Sequence, residues 1–207
     1  MMEKLTVNPW KGMWTNPKQT IRAVVTHDPR YRFITLCVIN GLPAMLQVAQ
    51  NMSLGFSYSL VGILLGSIFL SLFAGMIGIT VASGLLYLTG KWIGGMSSFL
   101  QIRCAVSWSN VTNVISILMW AILIVMFDKV LFTDLFETAS FTKKESLLLM
   151  GVFLTQTVMS VWSLVLLVQS LAEVQGFSSW KSILNILLSF GILIAFFWLI
   201  GLFFVNG

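Results

Sequence analysis

The chain has 207 residues, 57% hydrophobic and 9% charged, where an average soluble domain carries roughly 25% charged residues. That deficit excludes an ordinary soluble globule and predicts an all-α, polytopic integral membrane protein. The net charge of +5 raises nucleic acid as a partner, but six of the twelve basic residues (Lys4, Lys11, Lys18, Arg22, Arg30, Arg32) precede the first apolar run, and no sizeable basic soluble domain remains to bind it.

Residues 1–32 read as a cytoplasmic amphipathic head. Trp10 and Trp14 stand one helical turn apart, as side chains at a headgroup boundary do. Asn16-Pro17 has the pattern of an N-cap followed by a first-turn proline. Beyond it Ile21, Val24 and Val25 share one face, while Lys18 and Arg22 lie away from it. The pattern predicts a short helix lying in the membrane interface, anchored by Trp10, Trp14, Lys18 and Arg22. His27-Asp28-Pro29 ends it, because the residue before proline avoids helical geometry. No cleavable signal is expected, since the first apolar run begins late and lacks a small-residue cleavage pattern.

From Arg32 to Lys91 there is no charged residue and no histidine. A span needs roughly 20 residues, so this stretch holds two, at 33–49 and 60–88. Pro43 falls in the first, and Gln50-Asn51-Met52-Ser53 with Gly55 supplies the turn. The second carries small residues on a four-residue row: Gly62, Gly66, Ala74, Gly78 and Ala82. Ser67, Ser71 and Gly75 form a second row beside it. Small residues so spaced let helix backbones approach closely, which makes the row a candidate helix-packing face. Further spans are expected at 104–127, 147–172 and 183–205, giving a five-helix bundle over 33–207. The short loops hold Lys91, Arg103 and Lys181 on the side of the N-terminal basic residues. Lys129, Lys143 and Lys144 lie on the other side, beside Asp128, Asp134, Glu137 and Glu145. The positive-inside rule then puts the N-terminus in the cytoplasm and the C-terminus outside.

Chemistry-bearing residues are few. Arg103, Glu173 and Lys181 sit at the expected cytoplasmic span ends, and with Asn110, Gln169 and Asn185 they make a candidate polar pocket for a lipid headgroup or an ion. The plainer reading is that Arg103 and Glu173 pair, or snorkel to the interface and mark helix ends. Polar residues of the third and fourth spans suit helix-to-helix hydrogen bonds better than a coupled transport path, which usually needs an ionisable group near the midplane. Cys37 and Cys104 lie in apolar runs as small hydrophobes, and the lone His27 cannot build a metal site unaided. No HExxH, GxSxG, phosphate-binding or calcium-binding loop occurs. The expectation is no catalytic, cofactor-binding or metal-binding residue and no enzyme activity.

Several segments together resemble the Yip family of Ypt/Rab-interacting membrane proteins, in its bacterial branch. They are Asn8-Pro9-Trp10 through Trp14, Asn16-Pro17 and Ile21 to Asp28-Pro29; Trp92-Ile93-Gly94-Gly95-Met96-Ser97-Ser98-Phe99 leading to Arg103-Cys104-Ala105-Val106-Ser107-Trp108-Ser109; and Trp162-Ser163 with Leu171-Ala172-Glu173-Val174-Gln175-Gly176-Phe177-Ser178. Met96 departs from the glycine that relatives commonly place before the serine. The resemblance implies five spans, a cytoplasmic N-terminus and residence in a bacterial cytoplasmic membrane. It also implies an adaptor or organiser whose partners are membrane lipids, other integral membrane proteins or further copies of itself. Rab binding does not carry over, because the long cytosolic domain of many eukaryotic relatives is missing. The rival expectation is a transporter or channel, for lipid among other cargoes, working through the pocket at Arg103 and Glu173.

Overall fold

The computed structural model describes Leu5 and residues 7–205, without the side chains of residues 137, 138 and 203–205. Lys4 of the N-terminal basic set and the Glu137 side chain thus lie outside the described residues. The helices are α1 (Pro9–Thr15), α2 (Pro17–His27), α3 (Phe33–Asn51), α4 (Leu60–Trp92), α5 (Phe99–Ser109), α6 (Asn113–Phe127), α7 (Leu135–Thr138), α8 (Lys143–Gln175) and α9 (Ser179–Val205). Five stretches are long and apolar enough to cross a membrane: Phe33–Asn51, Leu60–Trp92, Phe99–Phe132, Lys143–Gln175 and Ser179–Leu202. The all-helical, five-span class is the one expected from the charge-free runs.

The first two spans start at Phe33 and Leu60, where hydropathy puts them, and the last three start four or five residues earlier than expected, which capping explains. Ser98 and Gln101 exchange reciprocal bonds (Ser98 N to Gln101 Oε1, 2.8 Å; Gln101 N to Ser98 Oγ, 3.4 Å), a capping box that begins α5 five residues before 104. Thr142 and Glu145 do the same at the start of α8 (2.7 and 3.3 Å). Ser178 accepts from Lys181 N ahead of α9. Two ends stop on glycine with positive φ, Gly94 (84°) after α4 and Gly176 (68°) after α8. The six-to-one bonds Gly95 N to Gly90 O and Phe177 N to Ala172 O complete a Schellman stop at each. Pro17 opens α2 as expected, but the Asn16 side chain makes no capping bond; Asn8 caps α1 through Trp10 N. The third span is not one helix. A 3-10 turn, Asn110–Thr112, separates α5 from α6, and Asn113 N–H bonds back to Asn110 O.

The chain divides into two compact units. The first comprises Met1–Tyr31, Thr80–Val106 and Leu167–Gly207; the second comprises Arg32–Ile79 and Ser107–Leu166. In the first, the face of α2 that the pattern offers to the bilayer surface is covered by protein: Ile21 and Val24 have no exposed surface, nor has Met13 of α1. In the second, α3 and α4 cross in backbone contact. A Cβ at Gly41 would overlap the Ser71 carbonyl, and one at Gly75 would overlap that of Cys37. The core there joins Leu46, Ala49, Ile63, Trp120, Leu123, Leu131, Phe132 and Val152. Trp120 and Phe132 stack at 6.2 Å, because the chain after α6 turns back as a second 3-10 segment, Asp128–Phe132, and buries Leu131 and Phe132.

Candidate functional site

In the first unit, polar residues of the span ends form a connected set. Asn185 is fully buried; its Oδ1 lies 2.5 Å from the Thr89 hydroxyl, and its Nδ2 donates to Leu86 O at 3.2 Å. Ser189 Oγ lies 2.8 Å from the same hydroxyl. This neutral cluster ties α9 to α4. Gln175, 1% exposed, sits in a notch made by two glycines, since a Cβ at Gly90 or Gly95 would overlap its Oε1. Its Nε2, with Ser97 Oγ and Ser170 Oγ, is buried without a hydrogen-bond partner among the described residues.

The charged residues lie near helix ends and on α2, outside the apolar middles of the spans. Glu173 pairs with Arg22, whose Nε donates to Glu173 Oε1 at 2.5 Å. The carboxylate raises the Arg22 guanidinium above its ordinary value by hydrogen bonding and by charge. Arg103 stacks over Phe99 at 6.0 Å, Lys181 over Phe177 at 4.8 Å and Lys91 over Tyr87 at 5.4 Å. Each of these cations follows its aromatic by four residues, one helical turn. Gln169 is half-buried on α8. Asn110 belongs to the second unit, where Ser163 Oγ donates to its Oδ1 at 2.9 Å. The six candidate pocket residues therefore divide between the units, with Asn185, Glu173 and Lys181 each engaged by a different partner.

The interfacial anchors divide as well: Trp10 and Trp14 are half-buried, whereas Lys18 and Arg22 are exposed. On α4 the two small-residue rows have separate fates. Ser67, Ser71 and Gly75 are buried, and this row makes the contact with α3. Of the other row, Gly62 and Gly78 are exposed, Gly66, Ala74 and Ala82 half-buried, and a Cβ at Gly66 or Gly78 would meet no atom within 4 Å. Both cysteines are buried thiols. Among the described residues no three His, Cys, Asp or Glu side chains converge as a metal site would require.

Five apolar spans with hydrogen-bonded and charged groups gathered at helix ends define a polytopic helical membrane protein. The model of the Yip1 domain matches residues 11–201, nearly the whole chain, so the chain belongs to the Yip1 domain family. The match takes in α2 and most of α1 together with the spans. Neither the curated proteins nor the solved structures give a match.

Proposed function

We propose that this Yip1-family membrane protein is a non-enzymatic adaptor or organiser that binds other membrane proteins or lipids and aids assembly of a membrane complex. The observation that carries this reading is the open glycine row of α4. Gly62 and Gly66 border an apolar groove of about 300 Å³, together with Met45, Val48, Met52 and Tyr58. Gly78 continues the row with open space above it. Lipid tails gain nothing from glycine, whereas a neighbouring helix gains close approach and dispersion contact. The internal contact of α4 uses the other row, leaving this one for a helix from outside the chain. A second copy of the chain and a different membrane protein both satisfy it. In this reading the protein lies in a bacterial cytoplasmic membrane with its N-terminus inside, because Lys and Arg concentrate in the N-terminal segment and in the loops at Lys91, Arg103 and Lys181.

Crosslinking in native membranes followed by co-purification, with proteins and lipids both identified, tests it. The double variant Gly66→Leu/Gly78→Leu should fold and express as the parent does, and lose its crosslinked partner or its self-association. Unchanged partners and unchanged oligomeric state in that variant overturn the adaptor reading.

A further inference from the structure

The second unit holds a cleft of about 230 Å³ at the break in the third span. One wall is Asn110, Thr112, Asn113 and Ser116; the other is Ser160 and Ser163, with Met159 beside them. Ser116 lies midway between Arg103 and Asp128, the charges that bound its span, and Met159 lies midway between Glu145 and Glu173. At 1.5 Å per residue each is about 20 Å along its helix from a charge, which is the depth of the bilayer centre. Hydrocarbon offers no hydrogen bonds there, so irregular backbone and polar side chains persist where they are buried in protein or line a cavity that holds something polar.

Several polar groups of the walls are held by the protein. Asn113 Nδ2 donates to Asn40 Oδ1 at 3.3 Å, and Asn40 Nδ2 donates to Leu36 O, which holds both amides in place. Ser163 and Ser160 spend their protons on Asn110 Oδ1 and Gln156 O. Ser116, 9% exposed, and Thr112, 1% exposed, also line the cleft and bring a hydroxyl each to its wall. With the amides they make the lining of a cleft that has room for several waters or one small polar group.

We infer that this cleft is a binding site for the uncharged hydroxyl- and ester-bearing headgroup of a neutral lipid of the diacylglycerol class. Every lining residue is neutral, so a phosphate has no cation to meet it and an amine no carboxylate, and either charge at this depth is costly. Amides and hydroxyls supply both donors and acceptors, matching a glyceryl hydroxyl beside ester carbonyls. Of the lining residues Ser160 is exposed, in the middle of a helix long and apolar enough to cross a membrane, so the cleft reaches the surface that meets lipid. An occupant therefore enters from the hydrocarbon, as a lipid does and a dissolved solute does not.

The test uses the full chain in phosphatidylcholine nanodiscs with a diacylglycerol carrying a diazirine and an alkyne. Labelling should saturate, map to peptides around Ser116 and Met159, and be competed by unlabelled diacylglycerol but not by phosphatidic acid or free glycerol. Asn113→Leu or Ser116→Ala should weaken saturable labelling about fivefold, the size of one lost hydrogen bond. Ser116→Ala decides the matter where Asn113→Leu fails to fold. Non-saturable labelling, or labelling indifferent to Ser116→Ala, leaves a merely hydrated gap and overturns the site. Competition by phosphatidic acid overturns the demand for neutrality, and competition by glycerol overturns the lipid source.

Discussion

Helices of the second unit meet backbone to backbone and ring to ring. Gly41 and Gly75 let α3 and α4 touch, Trp120 stacks on Phe132, and Phe127, Phe136 and Phe141 pack with centroids 5.1 to 5.7 Å apart. In the first unit the contacts run through side-chain hydrogen bonds and placed cations instead, with Asn185 on Thr89 and Leu86, Gln175 in its glycine notch and Arg22 on Glu173. Charge separates them too. By sequence, the segments of the first unit carry eight basic residues (Lys4, Lys11, Lys18, Arg22, Arg30, Lys91, Arg103 and Lys181) against three acidic ones (Glu3, Asp28 and Glu173), while in the second Arg32, Lys129, Lys143 and Lys144 are balanced in number by Asp128, Asp134, Glu137 and Glu145. Lipid supplies no hydrophobic force between helices, so close fit and hydrogen bonding are the two remaining ways to hold them. The second unit adds close fit to its bonds at Asn113–Asn40 and Ser163–Asn110, whereas the first relies on buried polar side chains and placed cations.

The sharpest way to break that contrast is on α4. Gly75→Leu drives a side chain into the Cys37 carbonyl, and a backbone atom cannot yield as a flexible side chain does. The expected cost exceeds about 3 kcal/mol, read as loss of monodisperse protein on size exclusion and a collapsed unfolding temperature. Gly66→Leu, on the same helix, should leave the isolated chain's unfolding temperature unchanged. Equal damage from both would mean that close fit is not what holds the second unit.

Next in size is Asn185→Leu, which removes the amide from Thr89 and Leu86 O and leaves both facing an apolar side chain. Hydrogen bonds between helices in membranes contribute about 0.6 kcal/mol on average and up to about 2. The expected loss is about 1–2 kcal/mol, measured by thermal or denaturant unfolding in detergent, because the amide is fully buried and makes two bonds. A neutral result would show that the first unit, too, is held by shape.

How much of this was legible follows from where each signal lives. Charge-free runs give the number of spans, since the cost of charge in lipid acts on every residue. Span starts are set by side-chain caps such as Ser98/Gln101 and Thr142/Glu145, which lie outside the apolar run and are visible as Ser/Thr-x-x-Glu/Gln. The i−4 aromatics beneath Lys91, Arg103 and Lys181 are also readable once looked for. Asn185 is conspicuous as a buried amide in an apolar helix, but Thr89, 96 residues away, is not. Arg22 and Glu173 are 151 residues apart, and their pairing depends on α2 being covered by protein rather than by lipid. A pattern of apolar and polar faces does not say which of these two covers it.

The smallest expected effect is the loss of that ion pair. Arg22→Gln removes a guanidinium whose side chain is 72% exposed, from a Glu173 side chain that is 16% exposed. Solvent screens the pair, and holding two long side chains together costs entropy. Because Glu173 raises the Arg22 value, the Arg22 side of the pair is fully protonated below the guanidinium's ordinary value, and the stabilisation is present there as long as the Glu173 carboxylate carries its charge. On the Arg22 side it is lost only as pH rises through the raised one, so the Arg22 contribution is flat across the neutral range. Salt is the variable that reveals it, since at 1 M the screening length falls to about 3 Å. Thermal unfolding at low and high sodium chloride should therefore show a small deficit for Arg22→Gln that disappears in salt, while the deficit of Asn185→Leu persists. An Arg22→Gln deficit that survives high salt, or that rivals Asn185→Leu, would show that charge rather than the neutral amide cluster holds the first unit.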